Sequence, residues 1–362
     1  MGGGSNPGPG PAARWTWTRQ SQPTTGPPSD GTWISIASSS DGSSLAVSSR
    51  STTTYYNIWT AVRSGSSWTW TDQTARLYTA GVSTTANWTS IASSADGLVL
   101  AACGTLAVEG AWVGVFSSGL WTWEQVNSVG NIYTWSSIAI SADGKRMATC
   151  EASGTYGGYT AEYTGSFPTG SWSLPIQFPT SIMRTTSWSS ICSDSTGTKL
   201  GIISTSAQLV YTGVLVGSTW TWTDSSPTTA QSWSSIASST NGNRLALCSN
   251  GGSSSSGIWI GAFSSGSWSW AEINAPPGAI AFTWTSVSLS ADGTRIVICD
   301  GGSSFDSYTG VEGSGGVWAW TQQSSGPQLI GGASAACSSA DGLSIATCDS
   351  SGSYGVYTGV YA

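Results

Sequence analysis

The chain has 362 residues, only 8% of them charged, with a formal net charge of -7 and no histidine. Ordinary domains carry roughly a quarter charged residues, so solubility here rests on Ser, Thr, Gly and hydrated backbone, which suits an extracellular or particle-associated protein as well as a cytosolic one. A nucleic-acid surface needs a basic patch, which 11 Lys plus Arg against 18 Asp plus Glu do not supply; histidine-dependent chemistry is excluded as well.

Residues 1–13, Gly- and Pro-rich, read as an extended tail with neither the apolar run nor the basic segment of a secretory signal. No stretch approaches 18 consecutive apolar residues, so no membrane insertion is expected. The short motif Trp15-Thr16-Trp17 follows, ahead of any unit to which it could belong.

From Trp33 onward one unit recurs. Its leading residue is Trp33, Trp88, Trp135, Trp188, Trp233, Trp284 and finally Ala333, at a mean spacing of 50 residues. A fixed period of that size marks a propeller or solenoid. Eight residues after each leader lies a turn: Asp41-Gly42, Asp96-Gly97, Asp143-Gly144, Thr196-Gly197, Asn241-Gly242, Asp292-Gly293 and Asp341-Gly342. Short runs of small and β-branched residues flank each turn, so each unit opens with a β-hairpin.

A third strand carries an aromatic: Trp59, Trp112, Tyr159, Tyr211, Trp259, Tyr308 or Tyr357. A fourth carries Trp at every second residue, as in Trp68/Trp70, Trp121/Trp123, Trp220/Trp222, Trp268/Trp270 and Trp318/Trp320, which puts both rings on one face. The third unit keeps only Trp172, and the last unit stops after its third strand. Trp15 and Trp17 are the missing piece. The expectation is an all-β, seven-bladed β-propeller of four-stranded antiparallel blades over 14–362, closed by the N-terminal strand joining the C-terminal blade.

All 22 Trp have repeat addresses, which points to packing between blades; sugar stacking would require rings that remain exposed. The seven Cys follow the repeat too. Cys103, Cys150, Cys248, Cys299 and Cys348 fall 15 after their leaders, and Cys192 and Cys337 fall four after theirs. If positions four and fifteen face each other across the hairpin, Cys337 and Cys348 can form a strained disulfide; the alternative, which packing favours, is that they stay reduced among small residues like the other five. No close Cys pair or His suggests a metal, and no cofactor is expected. Asn87-Trp88-Thr89 matches an N-glycosylation acceptor, but overlaps a leader.

Acid–base catalysis needs two carboxyl groups that converge. The acids here are spread by the repeat: Asp in the turns, then Asp72, Glu124, Asp224 and Glu272 after the fourth-strand Trp. Off that pattern stand Glu109, Glu151, Asp194, Asp300, Asp306 and Asp349. Arg146, Arg244, Arg295 and Lys199 each fall eleven after a leader.

The order of strands, together with Gly217-Ser218-Thr219-Trp220 and Gly65-Ser66-Ser67-Trp68 at the third-to-fourth turn, resembles the sialidase-like superfamily of BNR or Asp-box propellers. The Asp of that box is replaced by Leu215 and Arg63, and in Ser265-Gly266-Ser267-Trp268 the Gly is shifted. The resemblance implies the propeller architecture. In that family catalysis uses an Arg cluster, a Tyr nucleophile assisted by a Glu, and an Asp acid/base; the Arg here sit at repeat addresses. Three functions are therefore expected in descending order. The first is a non-enzymatic structural or recognition module that binds a protein or assembly through a loop face or the rim. The second is a lectin-like glycan binder, and the third a glycoside hydrolase. The variable connections Asp72 to Asn87, Leu174 to Ser187 and Glu272 to Thr283 are the expected recognition loops.

Overall fold

The structure, a computed structural model, describes residues 15–20, 32–49, 58–82, 87–105, 110–126, 134–155, 157–173, 176–179, 186–251, 257–276, 283–301, 307–323, 333–349 and 355–361. The Gly/Pro-rich tail at 1–13 lies outside them, as do Glu109 and Asp306.

Seven antiparallel sheets follow one another in the chain, each in sequential strand order. The first strand of each blade is innermost: Trp33–Ser38, Trp88–Ser93, Trp135–Ile140, Ser190–Ser193, Trp233–Ser238, Trp284–Leu289 and Ala333–Ser338, each packed against its counterparts in both neighbouring blades. The last sheet is completed from the other end of the chain. Trp15–Arg19 pairs antiparallel with Val356–Tyr361, with Trp15 opposite Tyr361 and Arg19 opposite Tyr357. The fold is a seven-bladed β-propeller.

Each blade has too few long aliphatics for a core of its own, and the buried residues gather instead into seven clusters, one at each seam between blades. The leaders are the largest contributors: Trp88, Trp188 and Trp233 are fully buried, and Trp33, Trp135, Trp284 and Ala333 nearly or fully so. Their rings meet the aromatic of their own third strand edge to face, as in Trp188–Tyr211 at 5.8 Å and 87° and Trp284–Tyr308 at 5.9 Å and 86°, the arrangement favoured by the ring quadrupoles. In five blades the second Trp of the fourth strand lies on a third-strand glycine directly opposite it, as Trp222 on Gly213 and Trp123 on Gly114; a Cβ at either glycine would come within 2.9 Å of the indole.

A second device closes the ring. The residue seven after each leader donates its backbone N–H to the equivalent carbonyl of the next blade: Ser40 to Ala95, Ala95 to Ala142, Ala142 to Ser195, Ser195 to Thr240, Thr240 to Ala291, Ala291 to Ala340, and Ala340 back to Ser40, at 2.6 to 2.9 Å. Hydroxyls stitch the same strands sideways. Ser35 Oγ accepts from Ile91 N–H, Ser90 from Ile138, Ser137 from Ile191, Ser235 from Val287 and Ser286 from Ala336.

Three details differ from the expectation. The Asp72–Asn87 connection contains a helix, Thr74–Ala80, started by the Asp72 carboxylate, which accepts from Thr74 N–H and Oγ1, and ended by Gly81 at φ 102°. Its Leu77 is buried against the neighbouring blade. In the third blade the fourth strand is split: Ser171–Trp172 pairs with Tyr163 and Thr164, Ile176–Gln177 pairs with Tyr159 and Thr160, and Phe178 fills the seam against Trp222 at 4.6 Å.

Third, Cys337 and Cys348 do not face each other. A bulge just after Ala333 shifts the hairpin axis, so Cys337 is opposite Ala346 and Cys348 opposite Ala335. They are diagonal neighbours, roughly 7–8 Å apart in an antiparallel pair, beyond the reach of an unstrained disulfide. All seven thiols are free and buried. Burial pushes those of Cys103, Cys150, Cys192, Cys248, Cys299 and Cys348 up to about 12 and that of Cys337 higher still.

Candidate functional site: the tight-turn face and its seams

The turn acids predicted from sequence are structural. Ser39 Oγ donates to Asp41 Oδ1 at 2.7 Å, the same oxygen accepts from Ser43 N–H, and Ser39 Oγ in turn accepts from Ser44 N–H. The pattern repeats around Asp96, Asp143, Asn241, Asp292 and Asp341. Each carboxylate caps its own hairpin, so none is placed as a general acid or base.

The off-pattern acids resolve likewise. Asp194 stands where other blades carry the serine and Thr196 where they carry the Asp; Thr196 Oγ1 donates to Asp194 Oδ2 at 2.6 Å, and Asp194 Oδ1 accepts from the Thr198 and Lys199 amides. Glu151, Asp300 and Asp349 lie sixteen after their leaders, fully buried at the other end of the inner hairpins, each in register with its own blade's leader. Among the described residues no three acids or cysteines are grouped as metal ligands.

The basic residues eleven after the leaders reach across seams. Arg146 Nη1 donates to the Thr196 carbonyl at 3.2 Å, Lys199 Nζ to the Asn241 carbonyl and Asn243 Oδ1 at 2.9 and 2.6 Å, and Arg244 forks onto Glu312 of the next blade at 2.6 and 3.0 Å. They are distributed seam by seam and form no cluster for a substrate carboxylate.

What collects at this end of the ring is apolar. Among the described residues, every well-exposed large apolar side chain except Ile176 lies at the end that carries the first-to-second and third-to-fourth turns: Val62, Leu98, Leu120, Val214, Val216, Phe263, Val311, Val317 and Tyr361. Val216 and Val317 are 69% and 64% exposed. Sequence reasoning placed recognition on the opposite face, because that is where loop length varies; the strand ends that carry these residues are short and repetitive, and only their exposure distinguishes them.

Among the described residues, clefts open along seams toward the same end. One of about 360 Å³ lies between the fourth and fifth blades; those between the third and fourth and between the first and second are about 180 and 60 Å³. The first is walled by Trp268 and Trp270, with Lys199, Asp224, Ser226 and Ser267 among its polar lining.

No family model matches the chain and no curated protein matches it. Solved structures do. The chain is similar to hydrazine synthase of Kuenenia stuttgartiensis, with a TM-score of 0.64 and 13% identity over 92% of this chain and 96% of that one. It is also similar to a candidate 6-phosphogluconolactonase from Bacteroides uniformis, with a TM-score of 0.57 and 13% identity over 83% of this chain and 86% of that one. Likeness at this identity shows the architecture, a β-propeller, and leaves function to be argued from the site.

Proposed function

We propose that the chain is a non-enzymatic binding module that presents its tight-turn face and rim to another macromolecule. The observation that carries this reading is that, among the described residues, every well-exposed large apolar side chain but Ile176 gathers at the tight-turn end of the ring. Apolar exposure gathered at one end of a folded protein marks interaction surfaces, and interface cores are enriched in aromatic residues, here Phe263 with Val216 and Val317 at the same end of the ring. Among the described residues the turn acids cap hairpins, and Arg146 and Arg244 reach across seams, an arrangement that does not assemble the catalytic groups of the sialidase-like fold. We read the relation to Asp-box propellers as one of architecture, supported by the glycine turns between third and fourth strands.

The test is cross-linking mass spectrometry of the native assembly beside capture by the triple variant Val216→Asp, Phe263→Asp, Val317→Asp. Cross-links concentrated at the tight-turn face and loss of the partner from the variant are expected. A partner retained by the variant, or cross-links confined to the loop face, would overturn the reading.

A further inference from the structure

We infer that the seam between the fourth and fifth blades is a binding site for a pyranose ring of a saccharide. The inference rests on reading the chain as a binding module and names a ligand for one place in it.

Three seams hold a glutamine side chain that this one lacks. Five residues after the first fourth-strand Trp, the chain turns back toward the third strand. In three blades this residue is Gln: Gln73, Gln323 and Gln20 are buried, and each donates Nε2 to a third-strand threonine, Thr60, Thr309 and Thr358, at 2.8 to 2.9 Å. Gln323 also accepts from Trp17 Nε1 of the next blade at 3.0 Å, so it plugs its seam from side to side. Val126, Ile273 and Phe178 fill the corresponding place in three others. The fourth blade has Ser225, whose hydroxyl meets Thr212 Oγ1 at 2.7 Å but extends no further. In this seam Ser225 Oγ and Trp268 Nε1 share the threonine that the glutamine binds elsewhere, and a cleft of about 360 Å³ runs past them.

What lines the opening suits one chemistry. Trp268 and Trp270 lie nearly parallel, 21° between planes and 5.7 Å between centroids. Each is held by its edge, Trp268 Nε1 donating to Thr212 Oγ1 at 3.2 Å and Trp270 Nε1 to the Ser225 carbonyl at 2.7 Å, so the rings are fixed before any ligand arrives. Around them stand Asp224, Ser226, Ser267 and the Lys199 ammonium, two of whose three donors are engaged by Asn241 and Asn243. A pyranose offers a face of C–H groups and a rim of hydroxyls, and this cleft offers aromatic rings with acceptors and donors beside them. Ligand pockets run from roughly 300 to 1,000 Å³; at about 360 Å³ this one suits a single ring or its terminal pair.

The experiment is saturation-transfer NMR and calorimetry on the full chain with a panel of methyl pyranosides, alongside N-acetyl-leucinamide as a mimic of an apolar peptide side chain. At least one pyranoside is expected to bind through its ring protons. Ser225→Gln lengthens the side chain at the cleft wall toward the place glutamine takes in three blades, and in a variant shown to be folded by its melting temperature it should weaken that binding at least tenfold. Asp224→Asn, on an exposed residue, should weaken it several-fold. Failure of every pyranoside, binding of the leucine amide alone, or pyranoside binding unchanged in Ser225→Gln would each overturn the assignment. Partner capture by the tight-turn face is read separately, so a blank sugar panel with the partner retained by wild type sinks this inference and leaves the other standing.

Discussion

Asp194 and Thr196 show how a repeat conserves a bond while exchanging the residues that make it. In six blades a serine hydroxyl bridges the turn and the following strand while Asp or Asn caps the turn amide; in the fourth, the carboxylate has moved to the serine's place and takes both amides itself. Thr196→Asp alone sets two carboxylates within hydrogen-bonding distance and should destabilise by about 1–3 kcal/mol. Asp194→Ser with Thr196→Asp rebuilds the common turn and should return within about 0.5 kcal/mol of wild type, a coupling that urea midpoints across the double-mutant cycle measure directly. The turn acids also predict an acid response. Hydrogen bonds from the Ser39 hydroxyl and then the Ser43 amide hold the Asp41 carboxyl below its ordinary value against a smaller opposing effect of burial. At Asp292 burial pushes upward, but the bonds from Ser290 and Thr294 outweigh it. A carboxyl whose folded pKa is depressed contributes stability above its unfolded value, and that contribution is lost as the pH falls through the folded one. Asn241 already performs the same capping without a charge, so Asp41→Asn with Asp292→Asn should keep the neutral-pH midpoint and show a smaller fall between pH 6 and pH 3. An equal fall in both proteins would place the acid sensitivity elsewhere.

At the scale of the strand, the leader tryptophan is the unit of adhesion between blades. Trp233 is fully buried and its indole N–H has no protein partner, so its worth is packing. Trp233→Ala should cost about 3–5 kcal/mol. Trp233→Phe, which keeps most of the ring and orphans nothing, should cost less than half of that by the same urea titration; equal losses would show that the indole N–H matters. The strand pattern was almost wholly legible in the sequence because leader, turn and paired Trp recur at fixed offsets. Even the shifted glycines have a reason: Gly65 and Gly217 are the first of two turn residues with positive φ there alone, while Ser118-Gly119 and Ser265-Gly266 both have positive φ, two hairpin turns that place Gly differently for the same strand twist. The helix at Thr74–Ala80 was not legible, being seven residues without a repeat counterpart, stabilised by tertiary burial of Leu77. The pairing of Cys337 was misjudged because a one-residue bulge leaves no mark in spacing alone. The cleft beside Trp268 was hidden for a similar reason: Ser225 looks ordinary until Gln20, Gln73 and Gln323 are seen to fill its place.

For the molecule as a whole, the ring is closed twice, once at its rim by the pairing of Trp15–Arg19 with Val356–Tyr361 and once at its axis by the belt of backbone hydrogen bonds. Backbone hydrogen bonds join chains about 4.8 Å apart, so seven in a circle enclose a collar roughly 11 Å across between backbones, which is why only Ser, Ala and Thr occupy that position. Neither closure depends on where the chain is cut. Each remaining blade connects its third and fourth strands covalently, the first through Ser64-Gly65-Ser66-Ser67, and the seventh makes the same pairing without a covalent link. A permutant that joins residue 362 to residue 14 through Gly-Ser on that pattern, with new ends between Ala207 and Gln208 in the short turn of the fourth blade, should therefore fold to the same ring and melt within a few degrees of wild type. Removing 1–20 without replacement should do the opposite: it strips Trp15 and Trp17 from the last seam, exposes the edge of Val356–Tyr361 to pairing with other chains, and should appear as a lower midpoint with aggregation. If the truncated chain instead melts like the intact one, the axial belt alone holds the ring, and the rim strand is a cover for the last blade's edge with little part in closing the circle.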